Sequence, residues 1–206
     1  LMASPTAFWD GIADRYAARQ VDDPAAYEAT LTRIRAHLAA TDHVLEVGCG
    51  TGTTALRLAD AVARYTATDL SPRMIEIAEG RRAAEGTGNV TFHTASLDAP
   101  DDTAYDAVIA SSLLHLLDDL PAALTALRGR LKPGGLLISK TICLGEMNPG
   151  LRLVVPVMRL FGKAPRVRFL RAEALEAAIR EAGFEIVETA YYPRKLRARF
   201  VVARRA

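Results

Sequence analysis

Three acidic or basic side chains stand where chemistry needs them. Glu46 lies in Val-Leu-Glu-Val, directly before Gly48-Cys49-Gly50-Thr51-Gly52. Glycine takes backbone angles closed to other residues and has no Cβ, so such a loop turns sharply and lies close against a ligand. A carboxylate beside it repels phosphate and suits a ligand carrying an ammonium or sulfonium group. Asp69 follows about 20 residues beyond the loop, where a carboxylate can accept hydrogen bonds from both hydroxyls of a ribose. His115 follows an apolar run that ends in Ser111-Ser112, and is the best-placed general base. Tyr16 and Lys140 are weaker alternatives for that role. The glycine spacing narrows the ligand. A dinucleotide fingerprint needs glycine where this chain has Thr53, and a phosphate-binding P-loop needs a lysine that this loop lacks.

The elements that must position these groups follow from hydrophobic periodicity. Residues 44–47 form a buried parallel strand, and Thr53-Thr54-Ala55-Leu56-Arg57-Leu58-Ala59 opens a helix. Upstream, residues 6–19 and 24–39 make two amphipathic helices, the first carrying Phe8, Trp9, Ile12 and Tyr16 on one face. Downstream, strands are expected at 64–70, 89–94, 105–110 and 136–140, alternating with helices from Pro72 to about residue 85 and over 118–131. Ser71 caps the helix that Pro72 begins. A helix over 171–183 ends on Gly183, and strands at 185–192 and 197–204 flank a Pro193-Arg194 turn. Two strands joined so closely run antiparallel. Alternation of this kind predicts an α/β domain with a mostly parallel sheet.

The acid-x-Gly-x-Gly-x-Gly pattern, the Thr-Asp-Leu-Ser-Pro-Arg-Met-Ile run at 68–75, Tyr-Asp-x-Val at 105–108 and Leu-Lys-Pro-Gly-Gly at 131–135 together resemble the class I (Rossmann-like) S-adenosylmethionine (SAM)-dependent methyltransferases. The resemblance covers about residues 8 to 205. It implies a three-layer α/β sandwich with a seven-stranded, mostly parallel sheet whose last strand is antiparallel. It implies SAM as cofactor, S-adenosylhomocysteine (SAH) as product, and a cofactor site made from Tyr16, Glu46, Gly48, Cys49, Gly50, Asp69, Leu70, Met74, Ser96, Leu97 and Ser111. In many members an Asp after the third strand meets the adenine. Here Ser96 takes that place with Asp98 two residues on, so either can make the contact, beside the backbone amide of Leu97. Tyr16 is read either as part of a lid over the cofactor or as a packing residue. The chain divides into lid helices at 6–40, a SAM-binding core at 42–140, a cap over the acceptor site at 141–170, and a C-terminal helix and hairpin at 171–206, all one domain spanning 1–206. Ser111-Ser112-Leu113-Leu114 replaces the Asn/Asp-Pro-Pro-aromatic motif of amino methylation, which favours a small-molecule acceptor.

Composition agrees with a globular protein of one core: 206 residues, half of them hydrophobic. A net charge of +2 does not call for nucleic acid. Cys49 and Cys143 make no disulfide framework, and with four histidines they lack paired metal-ligand spacing, so no metal is expected. Leu1 before Met2 reads as an expression remnant, no leader is recognised, and a cytoplasmic protein is expected. Between Met147 and Arg171 five cations, Arg152, Arg159, Lys163, Arg166 and Arg168, accompany apolar residues with no acid among them. This segment is expected to cap a hydrophobic acceptor, with a homodimer contact next and an anionic membrane surface last. The rival enzyme classes are another SAM-using transfer, such as aminopropyl transfer, and a NAD-dependent oxidoreductase, the latter opposed by the loop spacing and by Glu46.

Overall fold

A computed structural model describes residues 4–193 and 195–206; Leu1 and Arg194 of the expected Pro193-Arg194 turn lie outside them. The chain runs α1 (Pro5–Ala17), α2 (Pro24–Arg35), β1 (His43–Val47), α3 (Thr53–Leu58), β2 (Arg64–Asp69), α4 (Pro72–Glu85), β3 (Val90–Thr94), β4 (Tyr105–Ser111), α5 (Leu120–Arg130), β5 (Leu131–Ile142), α6 (Leu151–Leu160), α7 (Ala172–Glu181), β6 (Phe184–Tyr191) and β7 (Ala198–Arg205). Four helices start by one device. Ser4, Asp23, Ser71 and Asp119 each accept a hydrogen bond from the amide three residues on, with a proline in the first turn. Such a cap contributes about 1 kcal/mol and fixes where the helix begins.

The seven strands form one sheet in the order β3-β2-β1-β4-β5-β7-β6. β1 to β5 pair in parallel, and β7 lies antiparallel between β5 and β6. The expected architecture, with its antiparallel last strand, is therefore present. Successive residues of each strand point to opposite faces, so the sheet carries two cores. Val44, Ile109, Ile138 and Phe200 meet α2, α3 and α4 through Leu31, Ile34, Leu58 and Ile75. Leu45, Val108, Leu137 and Val201 meet α5 and α7 through Leu124, Leu127, Leu175 and Ile179.

Several boundaries differ from the expected ones. β5 begins at Leu131, five residues early, because Leu131 pairs with Tyr105 before the register shifts and Leu136 pairs with Ala107. Lys132, Pro133, Gly134 and Gly135 are looped within that shift, with Gly134 at φ +76°. α2 stops at Arg35, short of residue 39. α5 starts at Leu120 behind its Asp119 cap, not at residue 118. The 141–170 segment holds a 3₁₀ turn over Leu144–Glu146 and one α-helix, α6, which has no buried residue. Among the described residues no helix is long and apolar enough to cross a membrane.

Strand order reverses between β1 and β4: from β1 the chain builds outward through β2 and β3, then returns to lay β4 on the other side. Open α/β sheets bind ligands at the carboxyl ends of the strands at such a switch point. Asp106 pins the opposite end, accepting from the His43 amide at 2.9 Å and from Lys132 Nζ at 2.7 Å.

Candidate active site

The glycine loop leaves β1 in a conformation that only glycine holds easily. Gly48, Gly50 and Gly52 all have left-handed φ, between +55° and +78°. The end of β2 grips it. The amides of Gly48 and Cys49 both donate to the Thr68 carbonyl, at 2.8 and 3.0 Å. The Gly50 amide donates to Asp69 Oδ2 at 2.8 Å, and the Ser71 amide to Asp69 Oδ1 at 2.9 Å. Gly48 and Gly52 are shut in, since a Cβ on them would strike Leu113 and Phe92. Gly50 is open: a Cβ there would meet only the ring edge of Tyr16, at 3.8 Å. It is therefore the loop glycine whose bare backbone faces space for a ligand.

That space is a cavity of about 350 Å³ at the switch point. It brings together Tyr16, Glu46, Gly48, Cys49, Gly50 and Ser111 of the expected site, with Tyr27, Ser112 and Lys140 beside them. Glu46 is 2% exposed and accepts a hydrogen bond from Tyr65 Oη at 2.9 Å. Burial, against the smaller opposing effect of the Tyr65 bond, pushes its carboxyl up from near 4.5 to about 8. At neutral pH the carboxyl is mostly protonated, and a cation placed beside it would draw it into the ionised form. Burial likewise raises the Cys49 thiol, which is inert packing. Asp69 is also raised by burial, with the Ser71 and Gly50 amides opposing.

The other expected residues fall elsewhere. Ser96 and Leu97 line a second recess, of about 150 Å³, with Leu45, Val47 and Arg130. Arg130 closes it by donating to the Leu97 carbonyl at 3.2 Å and to Asp101 at 2.8 Å. Asp98 is exposed and lines neither recess. Leu70 is exposed, and Met74 is buried in α4, where its amide completes the Ser71 cap. His115 is not brought to the cavity. The chain turns at Ser112, at φ +56°, into a short 3₁₀ turn over Leu114–Leu116 that buries the imidazole. Among the described residues its Nδ1 has no partner, and burial lowers its pKa to about 4. No residue of 141–170 lines the cavity.

Sequence reasoning missed Arg81 of α4. Its guanidinium donates to Thr51 Oγ1 and Thr53 Oγ1, both at 2.8 Å, and to the Ala17 carbonyl at 3.0 Å. It thereby ties the end of α1, and with it Tyr16, to the glycine loop. Asp10 and Asp14 of α1 hold the other end of α4 through Ser71 and Arg73. Nothing in the sequence separates Arg81 from its neighbour Arg82, which pairs with Glu79.

Residues 45–137 match the family described as "Methyltransferase domain". A demethylmenaquinone methyltransferase of Tropheryma whipplei is 31% identical over 153 residues, which are 74% of this chain and 61% of that protein. The chain thus spans about three-fifths of the length of that curated relative. Among solved structures, the CcbJ methyltransferase from Streptomyces caelestis superposes with a TM-score of 0.78 at 24% identity, covering 99% of this chain and all of that one. Magnesium protoporphyrin IX methyltransferase from Synechocystis PCC 6803, solved with bound SAH, gives 0.72 at 21% identity and covers 97% and 96%. The [4+2]-cyclase SpnF gives 0.75 at 24% identity and covers 91% and 83%. Residues 45–137 are thus similar to the methyltransferase-domain family, and the chain shares the class I methyltransferase fold of these solved structures.

Proposed function

We propose that this protein transfers the methyl group of SAM to a small-molecule acceptor, and that the 350 Å³ cavity is where donor and acceptor meet. One observation carries the reading: a fully buried carboxyl, Glu46, opens onto a cavity walled by a left-handed glycine loop. Ionising that acid in its buried place is costly unless a cation stands beside it, and SAM carries an ammonium and a sulfonium. Gly48, Cys49 and Gly50 would hold the methionine end. Asp69 would take the ribose with the lone pairs left free by the Gly50 and Ser71 amides. Ser96 and Leu97 would meet the adenine beyond it. SAM when bound supplies a methyl group already activated on sulfur. The protein orients the acceptor against it and excludes water, so proximity can supply much of the rate. Tyr16, hung over Gly50 from α1, serves that exclusion.

The names of the relatives support a small-molecule acceptor, including a quinone precursor and a porphyrin. The likeness to a [4+2]-cyclase favours a second reading, in which the same site shapes an acceptor without methylating it. Incubation with methyl-labelled SAM and a metabolite extract decides between them. The methyltransferase reading requires SAM-dependent label in a product. SAM binding with no transfer to any component favours the second, and NAD binding without SAM binding removes both.

A further inference from the structure

The cavity carries charge beyond Glu46, and almost all of it is spoken for. Of its cations, Arg19 pairs with Asp22, and Arg81 is bound to Thr51, Thr53 and the Ala17 carbonyl. Of its acids, Asp22 has Arg19, Asp23 caps α2 at the Ala26 amide, and Glu46 holds Tyr65. Lys140 is left over. It stands near the end of β5 on the same sheet face as Ile138 and opposite Phe200 of β7. Among the described residues it has no carboxylate and no hydrogen-bond acceptor. Its Nζ sits 5.8 Å from the ring centroid of Tyr27, a weak cation–π contact. Its backbone is fixed, because its carbonyl takes the Ser112 amide at 2.7 Å. Across β4, Glu46 is level with Ile138, and Lys140 lies two residues further along β5, so the two backbones stand roughly 12 Å apart.

We propose that Lys140 is the acceptor-binding residue of this site and takes an easily ionised oxygen, so that the acceptor is a phenol, an enol or a carboxylic acid. This rests on the methyltransferase reading. Tyr27, Pro193 and Leu196 give the same cavity an aromatic and apolar wall suited to the body of such a molecule. Burial alone lowers the Lys140 pKa, which increases the share of free amine able to accept a proton, and an oxyanion left beside it stabilises the ammonium that forms. The acceptor's O–H bond breaks as an N–H bond forms on Nζ, leaving an oxyanion against an ammonium. An acceptor that arrives ionised reaches the same pair with the lysine already charged. The oxygen's pair then forms the C–O bond, the methyl–sulfur bond breaks, its electrons stay on sulfur, and the proton leaves Nζ for solvent.

The test uses 4-nitrophenol, whose absorbance distinguishes phenol from phenolate, and benzoate as a carboxylate probe, each titrated into the protein with and without SAH. SAH binding is measured first: a wild-type protein that does not take it fails the methyltransferase reading, while the probe titrations judge Lys140 independently. The proposal expects at least one probe to bind, 4-nitrophenol to bind enriched in phenolate relative to buffer, and Lys140→Met to weaken binding about tenfold or more. Lys140→Arg, which keeps the charge, should restore most of that affinity, and SAH affinity should be unchanged in both variants. Binding of neither probe overturns the proposal, as does equal binding to Lys140→Met. A loss of SAH affinity in Lys140→Met also overturns it, because the amine would then hold the cofactor's own carboxylate. If Lys140→Met does not fold, the phenolate enrichment in wild type and its retention in Lys140→Arg decide.

Discussion

The glycine loop and α6 are opposites in how they are held. Every backbone donor from Gly48 to Gly50 has a named acceptor on β2. The loop is clasped again from outside by Arg81 and lies over the buried Glu46. α6 has a strongly apolar side, yet Leu153 and Leu160 are each at least 75% exposed, and no residue of the helix is buried. The segment is tied near its ends, by the Gly145 amide to the Leu170 carbonyl at 2.8 Å, the Arg168 amide to the His115 carbonyl at 2.7 Å, Glu146 accepting from the Ala172 amide and Tyr191 Oη, and Arg166 paired with Asp118. On the proposed reading, the difference says where cofactor recognition resides. A loop so tied cannot adjust, so its shape must already fit its ligand, whereas α6 lines no part of the cavity.

The largest break in this contrast is expected from Gly50→Val. A β-branched residue at φ +55° is strained, and its methyl groups enter the space beside Tyr16. SAM affinity by calorimetry should fall about 100-fold or more. Normal binding would mean that the ligand lies elsewhere. Asp69→Ala should cost about 10- to 100-fold, from lost charge-assisted bonds. It should also lower the melting temperature, because the Gly50 and Ser71 amides lose their acceptor. An unchanged dissociation constant would make Asp69 a loop brace only. Arg81→Ala should weaken SAM roughly tenfold and speed amide exchange at the end of α1, around Ala17. Equal exchange in both proteins would show that α1 is held by its Asp10 and Asp14 contacts alone. At the small end, replacing Leu153, Val157 and Leu160 with serine should leave SAM affinity within about twofold, and stability within about 1 kcal/mol. A larger loss of SAM affinity would erase the contrast.

How much of this was legible in the sequence depends on the range of the interactions involved. Glu46, the loop and Asp69 were readable because a strand, a turn and the next strand end are close in sequence and chemically distinctive. The antiparallel hairpin of β6 and β7 was readable for the same reason. The placement of His115 was not. Its position after β4 was read correctly, but the left-handed Ser112 and the 3₁₀ turn decide which way the imidazole points, and they turn it inward. Arg81 acts across 30 residues on Thr51 and 64 on Ala17, and an arginine on a helix carries no local sign of that. Lys140 reads in sequence as the last residue of a strand. Its isolation becomes visible only when the partners of Arg19, Arg81 and the carboxylates are known. The early start of β5 was hidden by Pro133 and the glycines, which look like a plain turn but are accommodated in a register shift.

Glu46 supplies the most direct test of the central claim. Its carboxyl is raised in the folded protein to about 8, so the ligand-free fold loses stability as pH rises from about 4.5 through 8, and Glu46→Gln should not show that loss. A bound cation favours the ionised form, so binding of SAM below pH 8 must release the proton. The decisive measurement is calorimetry of SAM binding at pH 7 in buffers of different ionisation enthalpy, comparing wild type with Glu46→Gln. The account predicts that wild type releases close to one proton more per SAM bound than the variant, with the wild-type advantage in affinity growing as pH rises towards 8. Equal proton release by the two proteins would contradict it, and so would SAM affinity undiminished by Glu46→Gln at pH 8.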